Sequence, residues 1–435
     1  MPSFNKIINW FQTQFKAIDQ QTNLRERKIH TMDVFYLMCR MINKKYSYQE
    51  AVTEMRIDNL IRNVSAQAFN HRVTSGRYVQ PFYQLIQKFT DNFITSDKHQ
   101  HIYAVDGSKI NLGLSMTKYG FSKCRNRPYA TGLISVLYDI EHQTPIEYQL
   151  SHVLNERTLF YDQLMRLKMN NGKQEDTSRS SSDIFIFDRG YYSSEMMDKM
   201  NTLFQNFIFR IKNNLKIIKQ LGSSGSDDMI IDSNGHKMRV VKYTIKTQDD
   251  ISLKIGSTSK IKLQLKKPIP IPNQKEKTYY LVTSLLDNTQ YPIDKLKQLY
   301  HRRWAVEEYY KKIKRNLISG TFHAHLLTSL ETELLVQQMI NLLTRYFLNT
   351  MYKNYPVNQK ISNNMIIDKI LPTIIYGLPN KINDEKINNI LIILEKNTVP
   401  IRSGRSFERI KIFPVSKHIY QENKHPQTKN HYGTK

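Results

Sequence analysis

Residues 300–314 read YHRRWAVEEYYKKIK. On a helix turning about 100° per residue, with Tyr300 at 0°, Arg303 falls at roughly −60°, Glu307 at roughly −20° and Lys314 at roughly −40°. Glu308 lands at roughly +80°, off that line. Leu299, Val306, Tyr310, Ile313 and Leu317 share an apolar face beside it. A helix packed by that face on a sheet edge would turn Tyr300, Arg303, Glu307 and Lys314 towards a cleft. Two further carboxylates sit where apolar runs end. Asp106 follows IYAV and precedes Gly107, and Asp188 closes IFIF and precedes Arg189-Gly190. Functional groups gather at the carboxyl ends of strands in α/β sheets. A carboxylate desolvated there needs a partner or a metal. Asp106, Asp188 and Glu307 together offer hard oxygen ligands for Mg²⁺ or Mn²⁺. Two such ions, about 3.5–4 Å apart, can activate a nucleophile and stabilise the leaving oxygen in phosphodiester displacement. Arg303 suits a phosphate gripped through two parallel bonds, and Lys314 suits one held as a point charge. The plain alternatives are turn-capping aspartates and an exposed Arg303–Glu307 pair worth about 0.2–0.5 kcal/mol.

The elements that must position these groups follow from periodicity. Residues 1–95 carry helical spacing, as in IINWFQTQFKAI and MDVFYLMCRMI. Within 47–76 one helix is followed by a connection and a second helix that starts at Ser65 and stops at Gly76. That outline is a candidate helix-turn-helix whose second helix offers Gln67, Asn70, His71 and Arg72 to DNA; its alternative is an ordinary helical hairpin. Strands then alternate with helices over 96–212 and again over 278–350, which implies an α/β layer. Residues 213–277 read as a β-rich insertion with lysines on one face. A single long helix is expected from about Asp294 to Leu317, and another over 326–352. Residues 351–415 are expected to form a C-terminal helical region and 416–435 a disordered tail.

Composition narrows the partner. Lys and Arg number 64 against 38 Asp and Glu, a formal net charge of +26. Such a surplus points first to a polyanion, nucleic acid above all, or to a Lys-rich composition with no specific partner. Two distant cysteines, Cys39 and Cys124, exclude a zinc finger or a disulfide scaffold. The start of the chain lacks the apolar core of a signal peptide. No apolar run reaches the roughly 18 residues of a membrane span. A cytoplasmic location is expected, nucleoid-associated if the host is bacterial.

With these residues in place, the chain resembles the DDE transposases of the insertion-sequence-4 type. That family's signature helix spaces Tyr, Arg, Glu and Lys as Tyr300, Arg303, Glu307 and Lys314 are spaced here. Its second motif matches Asp188-Arg189-Gly190-Tyr191, and VDGSKINL supplies the first aspartate, Asp106. The resemblance runs over roughly residues 100–350. It implies an RNase H-like mixed-sheet catalytic domain with a β-rich insertion, preceded by the helical N-terminal domain. It implies Asp106, Asp188 and Glu307 as catalytic ligands of two Mg²⁺ or Mn²⁺ ions. It assigns Tyr300, Arg303, Lys314, Arg189 and Tyr191 to DNA contact. The implied activity is cut-and-paste transposition on double-stranded DNA, both terminal inverted repeats and target, by a homodimer in the DNA complex. Some relatives stack a flipped base on an aromatic; Tyr280 and Trp304 are available, although Trp304 reads as core. The alternatives are a domesticated or defective DNA-binding derivative, a nuclease of the same fold, and a basic helix-turn-helix regulator.

Overall fold

The computed structural model describes residues 4–22, 29–44, 46–61, 64–94, 100–125, 129–171, 183–203, 205–233, 235–248, 251–254, 274–318 and 324–352, with short pieces between 359 and 413. Two units form: residues 1–241 with 280–401, and residues 242–279 with 402–435.

In the first unit the chain opens with five helices: α1 (Phe4–Gln21), α2 (Thr31–Lys44), α3 (Tyr48–Ile57), α4 (Ala66–Thr74) and α5 (Val79–Phe93). The start of α3 is fixed by a capping box in which Ser47 and Glu50 satisfy each other's backbone N–H groups. Ser65 caps α4 by accepting from the Ala68 N–H. The link from Asp58 to Ser65 is longer than the about 3–4-residue turn of a helix-turn-helix. Phe11, Phe15, Phe35 and Phe89 interlock beneath these helices. Arg40 is 1% exposed and is held by Glu54 at 2.8 Å and Asp58 at 2.6 Å. A buried guanidinium is tolerable only with such partners.

The sheet follows. Strand β1 (Ile102–Leu112) leads through a 3₁₀ turn and β2 (Ser122–Lys123) to β3 (Ala130–Asp139) and β4 (Thr144–Ser151). Helix α6 (Glu156–Asn171) then precedes β5 (Ile184–Phe187), α7 (Ser194–Thr202) precedes β6 (Asn206–Ile211), and α8 (Lys216–Ser224) precedes β7 (Asp228–Ser233) and β8 (His236–Gln248). β1 and β3 pair antiparallel, as do β3 and β4, whereas β5 runs parallel to both β1 and β6. Three antiparallel strands followed by two parallel ones, with helices in the crossovers, give the RNase H-like arrangement. Its core face carries Val105, Leu137, Phe160, Phe187 and Phe209, with Phe187 stacked on Phe209 at 4.4 Å.

The sheet does not stop at β6. After β9 (Ile251–Lys254), strand β10 (Gln274–Thr283) pairs antiparallel with β6, and the order continues β10-β8-β7. Part of the expected insertion therefore extends the central sheet. In the second unit, β9 pairs parallel with Ile410–Phe413.

Two helices replace the single one expected from Asp294 to Leu317: α9 (Ile293–Arg302) and α10 (Trp304–Ile318). The break falls at Arg303, which keeps right-handed helical angles (φ −51°, ψ −28°), so the helical phase survives it. Helix α11 (Leu327–Tyr352) is buried along Leu330, Leu334, Val336, Met339 and Leu343 and packs on α5, α2 and β4. Glu147 of β4, fully buried, accepts from Tyr83 at 2.9 Å and Gln87 at 3.2 Å, both on α5. These contacts seat the N-terminal helices on the sheet. The described pieces of 351–415 include strands Gln359–Ile361 and Thr398–Pro400, besides Ile410–Phe413. The expected tail, 416–435, lies outside the described residues. No described helix is long and apolar enough to cross a membrane.

Candidate active site

Strand register brings the first two carboxylates together. Val105 of β1 stands opposite Phe187 of β5 in a parallel pair. The next residues along are Asp106 and Asp188, so both leave neighbouring chains towards the same face. Helix α10 covers that face: the Tyr310 hydroxyl donates to the Asp106 carbonyl at 2.7 Å, and Tyr138 of β3 meets Tyr309 at 5.2 Å between ring centres. The apolar side of this helix pair is buried at Leu299, Val306, Tyr310 and Ile313. Of the polar line beside it, Tyr300 and Arg303 reach the two aspartates and Glu307 joins them through Arg303.

Tyr300 donates its hydroxyl to Asp188 Oδ1 at 3.3 Å. Burial, tempered by Arg303 and reinforced by Asp188, pushes the Tyr300 phenol up to about 12, so it stays a donor at neutral pH. Arg303 is 7% exposed, lies 4.0 Å from Asp106 Oδ2 and bonds directly to Glu307. Arg210 of β6 reaches Asp188 Oδ1 at 3.8 Å. Glu308 turns outward and pairs with Lys311 and the Trp304 indole N–H. Trp304, expected in the core, is 46% exposed. At roughly +40° on the helix it lies well away from the apolar face, on whose shoulder it was expected to sit. Lys314 belongs to α10, but its side chain lies outside the described residues.

The loop after β5 has its own anchor. Arg157 of α6 donates to the Gly190 carbonyl at 3.0 and 2.8 Å and to the Tyr192 carbonyl at 3.3 Å. Arg189 on that loop is exposed, whereas Tyr191 is 1% exposed and packs on Phe187 at 5.5 Å. A ring so placed supports the loop from beneath and offers no face to DNA. On α4, Gln67, Asn70 and His71 are exposed. Arg72 is only partly exposed and interacts with Tyr78, lowering a phenol that burial raises.

Sequence reading missed Glu156. Gly107 faces the α6 side of the sheet, and a Cβ there would lie 2.6 Å from Glu156 Cγ. The absent side chain lets the first turn of α6 lay its glutamate against β1, next to Asp106. Burial and then the Asp188 charge push the Glu156 carboxyl up. Asp106 is raised to about 7: burial raises it, Arg303 opposes, and Glu156 and Glu307 add to the rise. Four carboxylates thus share this region with two arginines. The available sequence signal was an acidic residue opening a helix just after the antiparallel strands, which alone reads as a helix-dipole partner. Gly107→Ala is expected to cost about 1–3 kcal/mol through overpacking. In a Glu156→Ala background that cost should largely disappear, because the obstructing atoms are gone. Denaturant unfolding of the four proteins checks this; equal costs in both backgrounds would show that Glu156 does not fill the gap.

The acidic oxygens and the two flanking cations define an RNase H-like α/β protein with a carboxylate-rich cleft on the sheet face under α10. Residues 97–343 match the Transposase DDE domain. The chain belongs to that family. No curated protein matches the chain. Among solved structures, a piggyBac transposase synaptic complex with hairpin DNA aligns over 87% of this chain and 81% of its own. It does so at 13% identity and a TM-score of 0.42, an overlap too slight to bear on the site.

Proposed function

We propose that the chain is a cut-and-paste transposase of the insertion-sequence-4 type, with Asp106, Asp188 and Glu307 as its catalytic carboxylates. One observation carries this reading. Three segments distant in sequence meet at one cleft: β1 and β5 through their register, and the α9–α10 pair through Arg303 at its break and the Tyr310 hydroxyl of α10. The donor set is all oxygen, which fits Mg²⁺ or Mn²⁺. When bound, a pair of such ions would supply Lewis-acid activation of the attacking and leaving oxygens.

The chain's own groups do the rest. Asp106 and Asp188 hold their oxygens at fixed spacing because neighbouring strands hold their backbones. Tyr300 orients Asp188 through its hydroxyl. Arg303, pinned by Glu307, limits the repulsion among the acids and presents positive charge to an incoming phosphate. Water would attack phosphorus at an element end and break the P–O3′ bond, leaving a 3′-hydroxyl on the element and a phosphate on the flank. That hydroxyl would attack a target phosphodiester in turn, so that one bond forms as another breaks. Arg189 and Lys314 are assigned to backbone contact, and Gln67, Asn70 and Arg72 to the terminal repeats. A homodimer would hold the two ends together.

Labelled duplexes carrying the DNA on either side of the gene test the reading. With Mg²⁺ and a plasmid target, the expected products are a new 3′-hydroxyl end and its joined form. Cutting without joining would indicate a nuclease, and no metal-dependent cutting would overturn the proposal. Binding of the same duplexes should weaken on the order of 10³-fold or more between 50 and 200 mM salt, if about six or more phosphates are contacted. A filter-binding series measures the slope, and a flat response would remove the electrostatic argument.

A further inference from the structure

A second cluster of ligand-type side chains lies elsewhere on the same sheet. His101 stands just before β1, Asp139 ends β3, and His142 lies in the turn from β3 to β4. Asp139 pairs with Tyr103, whereas Asp106 pairs with Val136. The two sites are thus three strand positions apart, about 10 Å, and an odd offset puts them on opposite faces.

Both imidazoles converge on one oxygen. His101 Nδ1 is 3.0 Å and His142 Nδ1 is 2.9 Å from Asp139 Oδ2. The other oxygen, Oδ1, accepts the His142 backbone N–H at 2.9 Å. Among the described residues, these form the one set of three His, Cys, Asp or Glu ligand atoms that all lie within 4.8 Å of one another. Asp139 is fully buried, while the His101 and His142 side chains are 17% and 23% exposed.

Two imidazole N–H groups donating to one carboxylate oxygen would also give these distances. Three features favour an ion. Ligand atoms held about 2.1 Å from a common centre stand about 3.4 Å apart at tetrahedral angles, so the three side chains need to part by only a few tenths of an ångström to admit an ion. The backbones that carry the ligands are fixed independently of the side-chain contacts. The His101 N–H donates to Asp183 Oδ1 at 3.0 Å, its carbonyl accepts from Ile184 at 2.9 Å, and the Ile140 N–H donates to the Ile102 carbonyl at 2.9 Å. Arg345 of α11 holds the turn through the Gln143 carbonyl at 3.1 Å. Finally, the partly exposed rings leave room for water as a further ligand.

We propose that His101, Asp139 and His142 form a binding site for a divalent transition-metal ion of the zinc class, separate from the Asp106, Asp188 and Glu307 cleft. Two imidazoles with one carboxylate prefer such an ion to Mg²⁺. The ion would tie the start of β1 to the β3–β4 turn, on a strand that also carries Asp106.

The test uses the untagged full chain, stripped with chelator and titrated with Co²⁺ in excess Mg²⁺. One equivalent of Co²⁺ should bind with a visible absorption band unlike that of the aqueous ion, and Zn²⁺ should displace it. His142→Gln and His101→Ala should each weaken Co²⁺ binding at least tenfold, whereas Asp188→Asn and Glu307→Gln should keep the band. No band in the unaltered chain overturns the proposal whatever the variants do. A band that survives in a folded His142→Gln protein, or that is lost in Glu307→Gln, overturns it as well.

Discussion

Glu307→Gln is expected to lower DNA-end cleavage on the order of 10³-fold or more while leaving DNA binding within about twofold. Glu308→Gln, one residue along, should leave cleavage nearly unchanged. The contrast follows from direction. Glu307 bonds to Arg303, which itself lies 4.0 Å from Asp106. Glu308 instead reaches Lys311 and the Trp304 indole on the solvent side. Glutamine keeps the size of the side chain and an oxygen that Arg303 can still use, so the helix should stay seated. What disappears is one negative charge and, on the proposed reading, one metal ligand. Asp188→Asn should behave like Glu307→Gln, since the Tyr300 hydroxyl can still donate to the amide oxygen. Single-turnover cleavage of end-labelled DNA at saturating protein separates this loss from a binding defect. Full activity in Glu307→Gln would remove the glutamate from the proposed site.

Much of this cleft was legible in local pattern. Helical phase separated Glu307 from Glu308, and it did so although the helix breaks at Arg303, because that residue keeps right-handed helical angles. Apolar runs before the aspartates located β1 and β5, and alternation with helices gave the layer; only Asp188 follows the end of its strand, whereas Asp106 stands within β1, which stays paired with β3 as far as Leu112. Other features were hidden for physical reasons. Trp304 was misplaced because it was assigned to the shoulder of the apolar face, from which its phase of roughly +40° separates it. Tyr191 lies in a motif associated with DNA contact, yet its ring is committed to the core beside Phe187. Glu156 could not be found by periodicity at all. Its role depends on a missing Cβ at Gly107, far away in sequence, and on the three strands between them, β2, β3 and β4, that set the approach. The His101, Asp139 and His142 cluster is hidden in the same way, since only the β1–β3 register joins its two ends. Long-range pairing leaves no local trace in composition or spacing.

The pH dependence expected of the proposed metal binding follows from the crowding of acids around Asp106. Burial is the main reason that Asp106 is raised to about 7; Arg303 opposes it, and Glu156 and Glu307 add to it. The folded-state value therefore lies above the unfolded one. From the unfolded value up to about 7 the folded chain holds a proton that the unfolded chain has released, so this group's contribution favours folding at low pH and declines as pH rises through that window. A divalent ion needs the ionised carboxylate and must displace that proton. Mg²⁺ affinity should thus fall about tenfold for each pH step below 7 and level off above it. Calorimetric Mg²⁺ titrations between pH 5.5 and 8 read this directly. Glu156→Gln removes one of the charges that raise Asp106, so the fall should begin at lower pH in that variant. A structural role for Glu156 alone would lower affinity equally at every pH and leave the midpoint in place. Affinity that stays constant from pH 5.5 to 8 in the unaltered chain would mean that Asp106 is already ionised there, and that the arginines outweigh the burial and the neighbouring acids.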